Sequence, residues 1–257
     1  MMPVIFIGHG SPMNAIEDNE FTNGWKEIAN VISKPTVILS ISAHWETNGT
    51  KVSTVENPKT IHDFYGFPEE LYNVQYKAKG SSETAFKTIE LLEGIAVADT
   101  SWGLDHGTWS VLHVMYPGAD IPVYQMSIDR NATPQELFEL GKKLKSLRDN
   151  NILIMGSGNI VHNLGIMDYS MDSGYELAIK FNDYITKNVN QRDFESIFNY
   201  RNLGDAAKLS VPTTEHFNPL LYVLGATSDL DKVAIYNNSY MAGSLAMTSF
   251  VFSENEK

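Results

Sequence analysis

Cysteine is absent from all 257 residues. Disulfides, thiolate zinc sites, iron–sulfur clusters and cysteine nucleophiles are excluded with it. Any metal must therefore be held by histidine, carboxylate or backbone oxygen. Basic residues are scarce: 19 Lys and Arg stand against 31 Asp and Glu, a formal net charge of −12. No nucleic-acid or membrane partner that needs a broad basic surface is expected. No apolar run approaches the ~18 residues of a membrane span. The segment Val4-Ile5-Phe6-Ile7 is too short for a signal peptide and no basic stretch precedes it, so a cytoplasmic location is expected. The phosphate and nucleophile signatures are missing too. Gly156-Ser157-Gly158 lacks the third glycine of the dinucleotide fingerprint and builds no Gly-x-Ser-x-Gly elbow, and no P-loop lysine is present.

What remains is an ordinary globular chain. Hydrophobic residues at 43% argue against disorder, and no linker or repeat divides the sequence. One domain over residues 1–257 is expected. Val4–Ile7, Val37–Ile41, Ile121–Met126 and Ile152–Met155 are continuous apolar runs, the pattern of strands covered on both faces. Val233–Tyr236 and Leu245–Phe252 read as two more strands. Helices are expected over Glu20–Ile32, Glu83–Leu92, Tyr175–Lys187 and Pro219–Leu224. The clearest helix starts at Thr133-Pro134-Gln135-Glu136, a capping box with proline at the first helical position. Leu137, Leu140, Leu144 and Leu147 then share one face. Alternating strands and helices predict an α/β fold: a central, mostly parallel mixed sheet flanked by helices.

The seven histidines carry the chemistry. His9 follows the first strand, His44 ends the second, and His162 lies past the strand that holds Ile152–Met155. In open α/β sheets, ligands bind outside the carboxyl ends of strands, so the three can converge on one point. Clustered imidazoles without cysteine suit zinc or iron. His216, in Glu215-His216-Phe217, is a candidate fourth member. His62 and His106 read as loop residues, each beside an aspartate (Asp63, Asp105) able to orient a ring. His113 reads as a packing residue on a helix face.

Taken together, Gly8-His9-Gly10-Ser11-Pro12, Ser42-Ala43-His44-Trp45, His62-Asp63-Phe64, Gly103-Leu104-Asp105-His106-Gly107-Thr108-Trp109, Gly156-Ser157-Gly158 with His162-Asn163, and Glu215-His216-Phe217 resemble the class III extradiol ring-cleavage dioxygenases, the protocatechuate 4,5-dioxygenase catalytic-subunit superfamily. Within it, they look most like the 4,5-DOPA dioxygenase extradiol type. The segments are short but keep the family order over nearly the whole chain. The resemblance implies non-haem Fe(II) at strand ends and opening of a DOPA-like catechol by O2, with zinc able to occupy the site in the resting or purified protein. It implies His9, His44 and His216 as metal ligands. His162 matches the acid/base histidine, which is sometimes counted as a ligand as well. Where the protocatechuate enzymes use glutamate, this chain presents His216. His106 is expected to hydrogen-bond substrate or O2, with Asp105 steering the loop or the ring, so the catalytic set is His162, His106 and Asp105. His62, Trp45, Trp109 and Phe217, with Phe64, are expected to wall the aromatic ring, core packing being the alternative. Two other readings stay open: a zinc hydrolase on the same scaffold, and a non-catalytic adaptor.

Overall fold

The computed structural model describes residues 1–254. Ten strands are present among them: β1 Val4–Gly8, β2 Val37–Thr47, β3 Thr50–Ser53, β4 Ala96–Asp99, β5 Val123–Asp129, β6 Ile152–Gly158, β7 Lys232–Tyr236, β8 Tyr240–Met241, β9 Leu245–Ala246 and β10 Ser249–Ser253. The main sheet has the order β4-β3-β5-β2-β6-β1-β10-β7, while β8 and β9 form a small separate ribbon. The central strands β5, β2, β6 and β1 run parallel. Antiparallel β10 and β7 complete one side, and β3 pairs antiparallel with β5 on the other. This is the expected α/β architecture. All four central C-termini therefore open on one edge of the sheet.

The helices are α1 Glu20–Val31, α2 Glu69–Tyr72, α3 Ser82–Leu91, α4 His106–Met115, α5 Pro134–Leu144, α6 Glu176–Gln191, α7 Phe194–Phe198, α8 Asp205–Ser210 and α9 Asn218–Gly225. Strand alternation splits the apolar runs between two cores. Val4 and Phe6 join Leu39, Ile41 and Ile154 against leucines of α5 and α9 and Phe181 of α6. Ile5 and Ile7 join Ile38, Leu153 and Met155 against Trp25 of α1 and Trp109 and Leu112 of α4. The capping box at Thr133 forms as expected, Thr133 Oγ1 accepting from the Glu136 amide. Leu137, Leu140, Leu144 and Leu147 are all buried. Among the described residues no helix is long and apolar enough to cross a membrane.

Three expectations need correction. Leu245–Phe252 is not one strand: the chain breaks at Met247-Thr248, where the Met247 amide turns to donate to Ser239 O (2.9 Å). His44 does not end its strand. β2 continues to Thr47, but its pairing with β6 stops at Ser42 and its register on β5 shifts between Ile41 and Glu46. His106 is not in a loop but is the first residue of α4.

Candidate metal and catalytic site

His9 leaves β1 at its carboxyl end and is 1% exposed. Its Nδ1 lies 2.9 Å from Ser157 Oγ, and that hydroxyl donates to Gly107 O at 2.5 Å. A hydroxyl has one proton, so Ser157 must accept from His9, which fixes His9 as the Nδ1–H tautomer. The lone pair is then on Nε2. His216 lies just before α9, and its Nδ1 is 3.1 Å from Glu215 Oε1. A carboxylate only accepts, so here too Nε2 carries the lone pair. His44 Nδ1 lies 3.3 Å from Asp63 Oδ2, close enough for the carboxylate charge to act on the ring.

The ring centroids of His9, His44 and His216 form a nearly equilateral triangle, with sides of 5.0, 5.2 and 5.1 Å. Three imidazoles sharing one tetrahedral ion at ~2.0–2.1 Å have centroids about 5.1 Å apart and coordinating nitrogens about 3.3 Å apart. The Nε2 atoms of His9 and His44 are 3.2 Å apart. His9 Nε2 carries its lone pair, so in this contact His44 Nε2 is the donor, and a bound cation would take that proton's place. The donor set fits a metal ion.

Nitrogens of His9, His44 and His106 lie within 4.8 Å of one another, as do donors of His162, Glu215 and His216. Ring geometry separates these sets from the triangle. His162 stacks flat on His216, with centroids 3.4 Å apart and planes at 5°. His106 is 3.8 Å from His44 but 5.8 Å from His9. Co-ligands of one ion diverge from it and do not stack face to face, so neither ring continues the triangle. His162 sits beyond it at an isolated bridge to Leu245.

The segment before His162 is part of the sheet. Gly156, Ser157 and Gly158 are the buried last residues of β6, paired with β1 on one side, while Gly156 and Ser157 pair with β2 on the other. A Cβ at Gly158 would collide with His216 O. The glycine thus lets the His216 segment approach the strand, which carries His216 towards His9. Gly107 has the same function on the other flank, where a Cβ would lie 2.9 Å from His44 Cδ2 and 3.3 Å from His9 Cε1.

Burial first, and then repulsion among the rings, holds these imidazoles neutral. His9 and His216 are pushed well below the usual histidine range. Burial and His106 push His44 down to about 3 against the pull of Asp63, and burial pushes His162 down to about 4 against the pull of Glu215. Unfolded histidines titrate near 6.5, so below that pH the unfolded chain takes up protons that the folded one refuses. The metal-free protein is therefore expected to be most stable above pH 6.5. It should lose stability progressively as pH falls from there towards 4, which urea midpoints across that range would measure. A midpoint flat or rising on acidification contradicts neutral buried rings.

The other expected residues fall as follows. Asp105 does not touch the His106 ring; its carboxylate caps α4 at the Thr108 amide and accepts from Ser42 Oγ and Gln125 Nε2, both at 2.7 Å. Burial and the Asp63 charge raise its pKa against these hydrogen bonds. The partner of His106 is Asp63, 2.9 Å from both its Nδ1 and its backbone nitrogen. Burial pushes the Asp63 carboxyl up, but its bonds to His106 outweigh this and leave it below the usual range. His62, Asp63's sequence neighbour, instead hydrogen-bonds Val74 O at 3.0 Å and packs among Phe64, Tyr72 and Trp109. Trp109, Phe217 and Trp45 are no more than 4% exposed. Trp109 donates to Ile61 O, Phe217 packs on Tyr200 and Phe181, and Trp45 stacks on Trp102. The fold thus gives these three rings core neighbours, while Phe64 reaches the edge of His106 with centroids 5.5 Å apart. His113 is half-buried against Tyr76. Arg148 is locked in a buried ion pair with Asp231, whereas Arg130 holds Glu46 O and faces the Glu46 carboxylate, itself facing Glu215.

Sequence reading missed Ser157 as the partner of His9, and Asp63 as the partner of His106. Both pairs join residues far apart in the chain, and no local spacing signals them.

The comparisons with known proteins agree in family. Residues 3–252 match the family described as "Catalytic LigB subunit of aromatic ring-opening dioxygenase". The chain is 44% identical over 254 residues to the 4,5-DOPA dioxygenase extradiol of Escherichia coli K12, covering 96% of this chain and 93% of that protein. It is 37% identical over 257 residues to the 4,5-DOPA dioxygenase extradiol of Beta vulgaris, covering 96% and 95%. A crystal structure of an uncharacterized protein from Escherichia coli K12 matches with a TM-score of 0.86 and 40% identity, over 98% of this chain and 100% of that one.

Proposed function

This chain belongs to the LigB family of aromatic ring-opening dioxygenases, and we propose that it opens a DOPA-like catechol at an iron(II) centre held by His9, His44 and His216. At the coarser level it is an extradiol dioxygenase, an oxidoreductase that takes a small aromatic substrate and O2. The observation that carries the finer reading is the triangle of three neutral imidazoles, with the Nε2 atoms of His9 and His216 left unprotonated.

A redox-active ion with open positions supplies the electron path that a singlet catechol and triplet O2 lack on their own. The chain's residues supply the rest. Ser157 and Glu215 hold His9 and His216 in their ligand tautomers, as outer partners do, and the Asp63 carboxylate lies beside the His44 ring. His162, neutral at pH 7, takes the catechol hydroxyl proton on a ring nitrogen and returns it as the ring opens. His106, anchored by Asp63, presents Nε2 to the substrate side. Asp105 acts through α4, holding the start of that helix in place. His62 and Phe64 border the ring site. The same donors would hold zinc, the basis of the hydrolase alternative.

The test is anaerobic loading with Fe(II), followed by O2 and a panel of catechols that includes DOPA, dopamine and a carboxylated catechol. A yellow ring-opened semialdehyde, formed fastest from the DOPA-like members, is expected. Equal rates across the panel would contradict the substrate class. No ring opening with iron, together with ester or amide hydrolysis under anaerobic zinc, would favour the hydrolase.

A further inference from the structure

We propose that Asp105, clamped between Ser42 and Gln125, is a positioning residue that fixes the bulge of β2 carrying His44 out to the metal triangle. The inference rests on the reading of His44 as a metal ligand. β2 runs in register with β5 up to Ile41, opposite Met126, and resumes at Glu46, opposite Ile128. Five steps along β2 thus face two along β5, and His44 lies in the surplus. A bulge re-aims a side chain but leaves its own residues out of the ladder. Its shape must be held by other contacts.

Those contacts run through one carboxylate. Ser42 Oγ accepts from the His44 backbone N–H at 3.2 Å and donates to Asp105 Oδ1 at 2.7 Å, so one hydroxyl joins the His44 main chain to Asp105. Gln125 of β5 grips Asp105 twice. Its Oε1 accepts from the Asp105 backbone N–H at 3.0 Å, and its Nε2 donates to Oδ2 at 2.7 Å. The Thr108 amide takes up Oδ1 as the cap of α4, and Thr108 Oγ1 lies 2.8 Å from Ser40 Oγ, a second tie between α4 and β2. Ser42, Asp105 and Gln125 are all fully buried, so a group that loses its partner here stays unsatisfied. The clamp therefore holds the bulge of β2, strand β5 and the start of α4 as one unit.

Its polarity supplies the test. Gln125 keeps its oxygen on the Asp105 amide, so its NH2 faces Oδ2. In Asp105→Asn, an oxygen kept for Ser42 and Thr108 turns the new NH2 against that NH2. Flipping Gln125 only moves the clash to the backbone N–H of position 105. Adding Gln125→Glu reverses the polarity: the new carboxylate accepts from that backbone N–H and from the new amide, and every bond is restored. The readout is Zn(II) affinity of the metal-free protein by chelator competition, well below the unfolding temperature, with urea midpoints alongside. Asp105→Asn and Ser42→Ala should each weaken binding about 10–100-fold, the scale of substitutions behind metal ligands. The double variant Asp105→Asn/Gln125→Glu should recover most of the wild-type affinity. Thr88→Val, which breaks the buried Thr88–Tyr124 hydroxyl pair between α3 and β5, is the control. It should lower the urea midpoint and leave zinc affinity unchanged. Wild-type affinity in Ser42→Ala, or a double variant that binds as weakly as Ser42→Ala, would overturn the proposal, and both readings stand even where Asp105→Asn alone fails to fold. An equal loss of affinity in Thr88→Val would overturn it too, since general destabilisation predicts that. Failure of the parent reading looks different: His44→Ala would then bind zinc as wild type does.

Discussion

His162→Gln is expected to keep its metal and lose turnover by about 10²–10⁴-fold, the range of general acid–base catalysis. The His162 ring lies flat against His216 at 3.4 Å and outside the triangle. Removing it leaves the Nε2 atoms of His9, His44 and His216 in place, so metal content should stay stoichiometric. What is lost is a neutral base beside the site, held unprotonated at neutral pH by burial. A substrate variant sharpens the test. An electron-poor catechol that is already ionised at the working pH needs less help, so its defect should shrink towards wild-type rates. Loss of iron along with activity would make His162 a ligand instead. Full activity with full occupancy would remove it from the mechanism.

The second large effect concerns the triangle itself. His9→Ala, His44→Ala and His216→Ala should each weaken metal binding by more than the about 10–100-fold expected for an outer partner, and turnover should fall with occupancy. His106→Ala should keep the metal and lose rate. This pattern decides between the two groupings the distances allow, because His106 also lies within 4.8 Å of His9 and His44. His106 is the better anchored of the two candidates, tied through both nitrogens to Asp63, but its ring is too close to His44 and too far from His9 to share an ion evenly. Elemental analysis of the four purified variants, loaded in parallel, gives the answer. Stoichiometric metal in His216→Ala and none in His106→Ala would replace the third ligand.

Much of the fold was legible because strands covered on both faces are apolar without interruption. Val4–Ile7 and Ile152–Met155 could be read for that reason. β3 and β4 could not: Thr50-Lys51-Val52-Ser53 and Ala96-Val97-Ala98-Asp99 are four-residue strands on one side of the sheet, too short to show a period. His9 was legible from the end of β1 and His162 from the chain just past β6, whereas His44 was read at a strand end but lies inside β2, and His216, just before α9, had no strand end to announce it. Their partners were not legible. Asp63 meets His106 across 43 residues, and Ser157 meets His9 across 148, so only the folded sheet and α4 bring them together. The part played by the Gly156-Ser157-Gly158 segment was not legible either. Glycine serves both flexibility and close approach, and here α9 and the His216 carbonyl press directly on the strand. Trp109 and Phe217 show the same ambiguity, since an aromatic beside a motif can line the site or support it from behind.

The most direct test of the account is a crystal structure of the protein loaded with Fe(II) in the absence of O2, with anomalous data at the iron edge. The account predicts one iron bonded to Nε2 of His9, His44 and His216, with the His162 ring still against His216 and unbonded. Iron held by His106 in place of His216, or by His162 together with Glu215, would contradict it.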